Sequence, residues 1–267
     1  MEIIIIFVCG LGAGMFGSLV GLGGGVIMVP VLNLIFDLPI KTAVATSLCA
    51  VCATSIGGTA RYFKKGLVDF RMGLFLETTT VVGAITGSLM ALAINPQIIS
   101  VAFAVVLLYT SANMLVKLRS PEISVNGNER GEISSVRKYI ALGLSSMAGM
   151  VSALLGVGGG VVQVPILHLI LWYPIKAAVA TSTYMIGITA AAGSLVYFLS
   201  QVMGKVDYPL IDYQAIGALV IGTLTGSNLG AAFSSKLNAR FIKILFIVAL
   251  IYAALQIGFK GLGWELI

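Results

Sequence analysis

The sequence predicts an all-α, polytopic membrane protein built from two inverted-topology repeats. Three observations lead to this prediction: the apolar composition, a segment that occurs twice, and an uneven distribution of cationic residues. Of the 267 residues, 58% are hydrophobic and 10% are charged. Soluble domains carry about 25% charged residues, so the composition excludes a soluble globular protein. The sequence lacks runs of alternating polar and apolar residues, so we expect membrane-spanning helices and not a transmembrane barrel.

One segment of the sequence occurs twice, with an offset of 135 residues. Residues 21–47 and 156–182 align over 27 positions, of which 18 are identical. Each copy contains Gly-x-Gly-Gly-Gly and Val-x-x-Val-Pro, followed by Pro-Ile-Lys and then Ala-Thr-Ser. Both copies lie inside long apolar stretches. In a membrane protein, a doubled apolar segment that is interrupted by glycines indicates a transport site.

Each half is predicted to contain an apolar helix, a glycine break, a short helix and three longer helices. The short helices, with 11 or 12 residues at 1.5 Å each, are about 18 Å long and cannot cross a hydrocarbon core of roughly 30 Å. The first two helices of each half therefore form either one interrupted crossing or a re-entrant hairpin. The predicted helices are 3–20, 26–36, 40–63, 70–92 and 97–118 in the first half, and 138–155, 161–172, 174–199, 210–234 and 238–260 in the second.

The distribution of Lys and Arg distinguishes these two arrangements. With hairpins, each half crosses three times, the second half is inverted, and 13 of the 16 Lys and Arg residues fall on one side, leaving Lys41, Lys205 and Lys260 opposite. With interrupted crossings the split is less uneven, because Lys176, Lys236, Arg240 and Lys243 change sides. Cytoplasmic loops are enriched in Lys and Arg, so the hairpins are favoured. We therefore expect a first repeat over 1–118, a polar cytoplasmic linker over 119–136 and a second repeat over 137–267.

The two glycine breaks form the predicted binding site. Irregular backbone at membrane depth must be buried in protein or line an aqueous cavity. Each break also begins a helix, whose first N–H groups lack intrahelical partners and whose dipole adds about half a positive charge. Two such ends near the midplane can hold an anion without Lys or Arg; the alternative is that the glycines only allow tight helix packing. The predicted site residues are Gly21, Gly23, Gly24, Gly25 and Val26, with Gly156, Gly158, Gly159, Gly160 and Val161.

Polar side chains near the breaks extend this candidate site. Gln163 stands where the first repeat has Met28, and it either donates to a ligand or bridges two helices. Four hydroxyl residues lie about two turns into the following helices, where they either line the site or bond back to helix carbonyls: Thr46, Ser47, Thr181 and Ser182.

Two ionisable residues are candidates for proton coupling. Glu77 is predicted to lie about 9 Å into a helix beyond Arg71, and intramembrane carboxyl groups are functional candidates by default. A side chain that extends back to the membrane surface is the alternative explanation for Glu77. His168 aligns with Asn33, and it either shuttles protons or is a hydrogen-bonded core residue.

At the twin glycine motifs, and at the Pro-Ile-Lys and Ala-Thr-Ser that follow each of them, the sequence resembles the sulfite exporter TauE/SafE family over nearly its whole length. The resemblance implies a multi-pass transporter of the cytoplasmic membrane that exports sulfite, sulfoacetate or related organosulfur anions. Another small anion or a neutral solute remains an alternative substrate. No ATP-binding loop is recognisable, so we expect a secondary transporter, in preference to a membrane-embedded enzyme or an assembly subunit.

The expected partners are the small anionic substrate and membrane lipid. The Lys and Arg residues cluster in loops, which indicates topology and headgroup contact, not nucleic-acid binding. Cys49 and Cys52 have the spacing Cys-x-x-Cys but no accompanying His or second Cys pair, so we expect no metal. No cofactor is expected either. The sequence leaves homodimer formation open.

Overall fold

The structure is a computed structural model that describes residues 2–20, 23–119, 134–204, 213–233 and 239–263. All regular secondary structure in these residues is helical. The helices are α1 Glu2–Val20, α2 Gly25–Ile35, α3 Ile40–Lys64, α4 Phe70–Ala93, α5 Pro96–Arg119, α6 Ser135–Leu155, α7 Gly160–Ile170, α8 Ile175–Val202, α9 Tyr213–Phe233 and α10 Ala239–Gly261.

Several of these helices are long and apolar enough to cross a membrane. Among the described residues there are five: α3, α4, residues Pro96–Leu115 of α5, α6 and α8. Large apolar side chains such as Leu74, Val82 and Leu89 are exposed along the outer face of α4, as expected for a surface that contacts lipid. The prediction of an all-helical, multi-pass membrane protein is confirmed, and the predicted helix bounds agree with the structure to within about three residues. Most of the predicted linker lies outside the described residues.

The two short helices have the same internal structure. Each contains a proline, Pro30 in α2 and Pro165 in α7, and a π-helical stretch follows the proline in both. Proline has no N–H, and its ring blocks the carbonyl group four residues earlier, so the regular hydrogen-bond pattern cannot continue past it. Each helix is followed by a non-glycine residue with positive φ, Asp37 at 48° and Trp172 at 58°. The two copies of the repeat therefore share unusual backbone geometry as well as sequence.

The two halves pack by placing the first helix of each against a long helix of the other. Helix α1 packs on α9, and α6 packs on α4. Both pairs are parallel: Gly222 and then Gly226 of α9 meet the carbonyl groups of Phe7 and Leu11 in turn, and α4 meets α6 in the same manner. A Cβ at either of these glycines would lie under 3.0 Å from the facing backbone. Only glycine allows helices to approach so closely.

Equivalent helices of the two halves run in opposite directions where they pack. Leu48, near the start of α3, lies beside Gly193, whereas Ser55, further along α3, donates to the carbonyl group of Thr183. Helices α3 and α8 are therefore antiparallel. Helices α5 and α10 are antiparallel as well, because Ser100 and Ala104 meet Gly261 and Gly258 in that order.

Two equivalent tyrosines fasten the first helix of each half. The hydroxyl of Tyr62 donates to the carbonyl oxygen of Ser18 at 2.8 Å, and that of Tyr197 donates to the carbonyl oxygen of Ala153 at 3.0 Å. Both acceptors lie in the last turns of α1 and α6. These bonds hold the end of each first helix against α3 or α8, and so fix the point from which the glycine break starts.

The close approach of α1 and α9 can be tested with two glycines of one helix. Gly14→Ala would place a Cβ against the backbone of Thr223, whereas a Cβ at Gly12 meets nothing within 4 Å. We expect Gly14→Ala to destabilise the protein by about 1–3 kcal/mol through overpacking. Gly12→Ala should stabilise it by about 0.5–1 kcal/mol, because alanine has the higher helix propensity. Thermal unfolding in one detergent measures both, and equal effects would contradict this packing.

Candidate functional site

The two glycine breaks lie against the middle of α3 and α8. A Cβ at Gly23 would be 2.9 Å from Ile186 and 3.2 Å from Val51, and one at Gly158 would be 2.7 Å from Val51 and 2.9 Å from Ile186. Val51 and Ile186 occupy equivalent positions in the repeat, each about 17 Å from the start of its helix at 1.5 Å per residue. Both breaks therefore contact the same two side chains at the same depth.

The breaks also contact each other directly. A Cβ at Gly25 would lie within 3.0 Å of the backbone of Gly156 and Val157. Ser47 Oγ lies 2.9 Å from the Gly156 carbonyl oxygen and 2.8 Å from that of Val44, so its one proton can pair with either acceptor. A side chain of the first half thus reaches a backbone acceptor in the break of the second half. The structure brings together the two segments that the sequence predicted as one site.

Positive φ angles form the turns before the short helices. They are 75° and 79° at Gly23 and Gly24, and 85° and 79° at Gly158 and Gly159. Residues with a Cβ avoid this region, so each break depends on its glycines. Gly21 lies outside the described residues.

The turns leave amide groups at the start of each short helix. The first bonds of α2 run from the N–H groups of Ile27 and Met28 to the Gly24 carbonyl oxygen, at 3.0 and 3.1 Å. The N–H groups of Gly25 and Val26 come before these bonds and have no acceptor within their own helix. The same holds in α7, where Gly160 and Val161 are the equivalent residues.

The four hydroxyl residues near the breaks are all buried. Ser182 Oγ donates to the carbonyl group of Val179 at 3.0 Å, in the manner of Ser47. Thr181 Oγ1 accepts the N–H of Asp69 at 3.0 Å and so contacts the segment just before α4. Both serines bond back to their own helices, while Ser47 also lies within hydrogen-bonding distance of the other break.

Glu77 lies inside the protein, with 3% of its surface exposed. Thr189 Oγ1 of α8 lies 3.0 and 3.1 Å from the two carboxyl oxygens, and Gln163 Nε2 of α7 lies 3.5 Å from Oε1. The alternative explanation, that the Glu77 side chain extends back to the membrane surface, is therefore wrong. Gln163 bridges two helices, α7 and α4, which is one of the two roles predicted for it from the sequence. Thr189 was not anticipated from the sequence.

A small cavity lies next to the second break, where Ser152 and Gln163 approach Gly159. A Cβ at Gly159 would be 3.3 Å from Ser152 Oγ and 3.6 Å from Gln163 Cδ. Within the described part of the chain, Ser152 Oγ and Gln163 Oε1 are buried and have no hydrogen-bond partner. The cavity measures about 40 Å³ and is lined by Ser152, by Gly159 and Val157 of the break, by Tyr109 of α5, which is exposed, and by apolar residues of α5, α6 and α7. It has room for about three water molecules or a group of similar size.

Ser152 was missed in the sequence, although the repeat contains a signal for it. The equivalent residue of the first half is Gly17, and a Cβ there would lie under 3.0 Å from the backbone of Gly24. Met28 takes the place of Gln163 and reaches within 3.0 Å of a Cβ at Gly24. The first break is therefore filled by backbone and a methionine, whereas the second has polar groups and a cavity.

His168 closes the end of a short helix. Its Nδ1 lies 2.7 Å from the carbonyl oxygen of Tyr173, and the equivalent Asn33 donates through Nδ2 to the carbonyl group of Leu38 at 2.8 Å. His168 is thus hydrogen-bonded as Asn33 is, and at nine residues past Gly159 it lies about 13 Å along the helix from the break. The structure does not bring it to the site.

Comparison with protein families matches residues 6–257 to the family described as "Sulfite exporter TauE/SafE". The chain belongs to the TauE/SafE family. It is 30% identical to the probable membrane transporter protein YunE of Bacillus subtilis, over 98% of this chain and 99% of that protein. A probable membrane transporter protein of Methanocaldococcus jannaschii is 29% identical, over 90% of both chains.

A plant protein is also similar to part of the chain. It is the sulfite exporter TauE/SafE family protein 5 of Arabidopsis thaliana, 29% identical over 58% of this chain and 33% of the plant protein. Comparison with solved structures gave no match. The TauE/SafE match and the transporter relatives agree with the apolar, multi-helical structure, so this is a transmembrane protein of a transporter family.

The difference between the two breaks predicts unequal responses to alanine. Gly24→Ala and Gly159→Ala both force alanine to a φ of 79°, which costs about 1–2 kcal/mol. The added Cβ at Gly24 would also lie 2.9 Å from the carbonyl oxygen of Ala13, whereas at Gly159 it meets the Ser152 side chain at 3.3 Å. We expect Gly24→Ala to unfold at the lower temperature. A lower midpoint for Gly159→Ala would contradict this geometry.

Proposed function

We propose that this protein is a secondary transporter that exports small sulfur-containing anions across the cytoplasmic membrane. Sulfite, sulfoacetate and related organosulfonates are the proposed substrates, in accordance with the family description. The observation that carries the proposal is the contact between the two breaks, where Gly25 packs on Gly156 at mid-depth. Helix-start N–H groups at this depth, with a cavity beside those of α7, are donors suited to the oxygens of an oxyanion.

Helix directions support an inverted-topology arrangement of the two repeats. Equivalent helices are antiparallel in the α3–α8 and α5–α10 pairs. The guanidinium of Arg137, at the start of α6, lies 5.2 Å from the ring centre of Trp172, just after α7. The α6–α7 unit therefore begins and ends close together, as a re-entrant hairpin does. Together with the distribution of Lys and Arg, this favours a linker in the cytoplasm.

The proposed anion site contains no cationic side chain. The sequence has no Lys or Arg in 1–40, 42–60 or 139–175, the segments that form the breaks and their surroundings. Lys41 is 8% exposed, and its Nζ donates to the carbonyl oxygen of Leu92 at 2.9 Å, at the end of α4. That carbonyl group belongs to the negative end of a helix dipole, so Lys41 already has a structural partner.

The transport proposal is tested by anion flux in liposomes. Sulfite-loaded liposomes that contain the purified protein should release sulfite faster than sulfite-loaded liposomes without protein. Gly159→Leu should abolish this faster release, because a leucine would fill the approach to the α7 amides. Gly143→Ala, where a Cβ meets nothing within 4 Å, is the matched control and should retain release. Release of sulfate or a neutral solute at the sulfite rate would favour a less selective transporter. Absence of any solute release by the wild type would favour an enzyme or assembly subunit.

The absence of cations from the site gives a second test. Replacing both Lys41 and Lys176 with glutamine should change equilibrium sulfite affinity by no more than a few-fold, because charges outside a site act mainly on the rate of encounter. The Lys41 substitution should lower thermal stability, since the Leu92 carbonyl group loses its partner. Affinity is to be measured on folded protein. A hundredfold loss, about 2.7 kcal/mol, would mean that lysines bind the anion.

A further inference from the structure

A row of polar side chains leads from the cavity at the second break into the protein. Ser152 lines the cavity, and Ser152 and Gln163 both approach Gly159. Hydrogen bonds connect Gln163 and Thr189 to Glu77. The row joins α6, α7, α4 and α8, so it crosses from the second repeat into the first and back.

We propose that the second glycine break binds an oxyanion and a proton together. The anion lies in the cavity beside Gly159 and accepts a hydrogen bond from Ser152 Oγ, while Glu77 carries the proton and Gln163 connects the two positions. This inference rests on the proposed function, and it adds that anion and proton travel as a coupled pair.

The unpartnered hydroxyl of Ser152 identifies the cavity as the position of the anion. Ser152 is 1% exposed and its hydroxyl has no partner, although a buried hydroxyl without a hydrogen bond costs about 1–3 kcal/mol. A group that enters the cavity and accepts this hydrogen bond removes that cost. The first break has no comparable position among the described residues, because Gly17 and Met28 replace Ser152 and Gln163 and pack against Gly24. One anion per protein is therefore expected.

Thr189 can pair with Glu77 in both protonation states. Its Oγ1 lies 3.2 Å from the carbonyl oxygen of Met185 as well as near the carboxyl oxygens of Glu77, and a hydroxyl has only one proton to donate. When Glu77 is ionised, Thr189 donates to the carboxylate. When Glu77 is protonated, its O–H donates to Thr189 Oγ1, and Thr189 donates to Met185. The proton comes from water and returns to water, so no other reactant is required.

Gln163 transmits the protonation state of Glu77 to the cavity. A hydrogen bond to a carboxylate is roughly twice as strong as one to a neutral group, so ionised Glu77 retains the Gln163 amide. Protonation weakens this bond and frees the NH₂ group of Gln163 to donate towards the cavity. It also removes a buried negative charge that would repel an anion. By linkage, bound anion must then favour protonated Glu77 to the same extent.

No other charged group in the described residues contacts Glu77. The exposed or partly exposed groups are at the helix starts, where Arg71 and Lys138 line an open pocket with Asp69, and Arg137, Tyr139 and Lys176 are exposed. The remaining titratable groups on the helices around Glu77 contact other partners: Tyr184 packs on Phe70, Tyr197 donates to Ala153, Tyr173 donates to Asp69, and His168 bonds to Tyr173. A proton taken up with the anion is therefore assigned to Glu77.

The test is the sulfite affinity of the wild type and of Glu77→Gln between pH 6 and pH 9. Sulfite itself titrates, but this affects both proteins equally, so the ratio of the two affinities reports Glu77 alone. We expect the wild type to lose affinity relative to Glu77→Gln by about tenfold per pH unit on the alkaline side of the midpoint, as one linked proton requires. A constant ratio overturns the inference while leaving the proposed function intact. Absence of sulfite binding by the wild type overturns both.

Matched variants separate the cavity from general packing. Ser152→Ala should weaken sulfite binding by tenfold or more, since one bond to a charged group is lost. Ser145→Ala should not, because Ser145 is an equally buried serine without a partner, two turns earlier on α6 and away from the cavity. Equal losses would overturn the cavity assignment.

Two further variants test the connection if Glu77→Gln does not fold. Gln163→Met, which introduces the first-repeat residue, should weaken sulfite binding at low pH, because the freed NH₂ donor is gone. Thr189→Val should shift the pH at which the affinity falls, whereas Thr54→Val, at the equivalent position of α3, should leave it unchanged. If Thr189→Val and Thr54→Val have the same pH profile as the wild type, Glu77 does not carry the coupled proton.

Discussion

A backbone N–H or C=O group without a hydrogen bond is not tolerated in contact with lipid, and this constraint governs the whole structure. The chain interrupts its helices at mid-depth twice, at Gly23–Gly24 and at Gly158–Gly159. Each interruption is enclosed by protein: Val51 and Ile186 cover both, and Ser47 lies within hydrogen-bonding distance of the carbonyl oxygen of Gly156. The helices around the breaks have to be arranged so that this enclosure is complete.

The enclosure explains why the two halves depend on each other. Val51 belongs to the first half and Ile186 to the second, and both cover each break, so neither half alone encloses its own break. The first helices are exchanged between the halves as well, with α1 on α9 and α6 on α4. Glycine serves two purposes here. In the breaks it permits positive φ, and in α9 and α4 it permits close helix contact, as at Gly226.

Much of this architecture was accessible from the sequence because its signals are local. Apolar runs gave the helices, and the Gly-x-Gly-Gly-Gly motifs gave the breaks and the start of each short helix. The partners of individual side chains were not accessible, because they depend on packing between distant segments: Glu77 meets Thr189 across 112 residues and Gln163 across 86. Ser152 has no local signal either. Only its alignment with Gly17 distinguishes it. The difference between serine and glycine at this position can be interpreted only after the structure shows that the residue packs against the break.

A symmetric scaffold does not require symmetric chemistry. The backbone of the two breaks is nearly identical, with φ of 79° at both Gly24 and Gly159, yet among the described residues unpartnered buried polar atoms occur at the second break and not at the first. The polar row there combines Glu77 of the first repeat with Gln163 and Thr189 of the second. Any rearrangement that moves α4 relative to α7 must change the 3.5 Å contact between Gln163 and Glu77. On the coupling proposed above, the protonation of Glu77 and the relative position of the repeats are therefore linked. A fully symmetric site, with methionine at both positions, would have no means of making that connection.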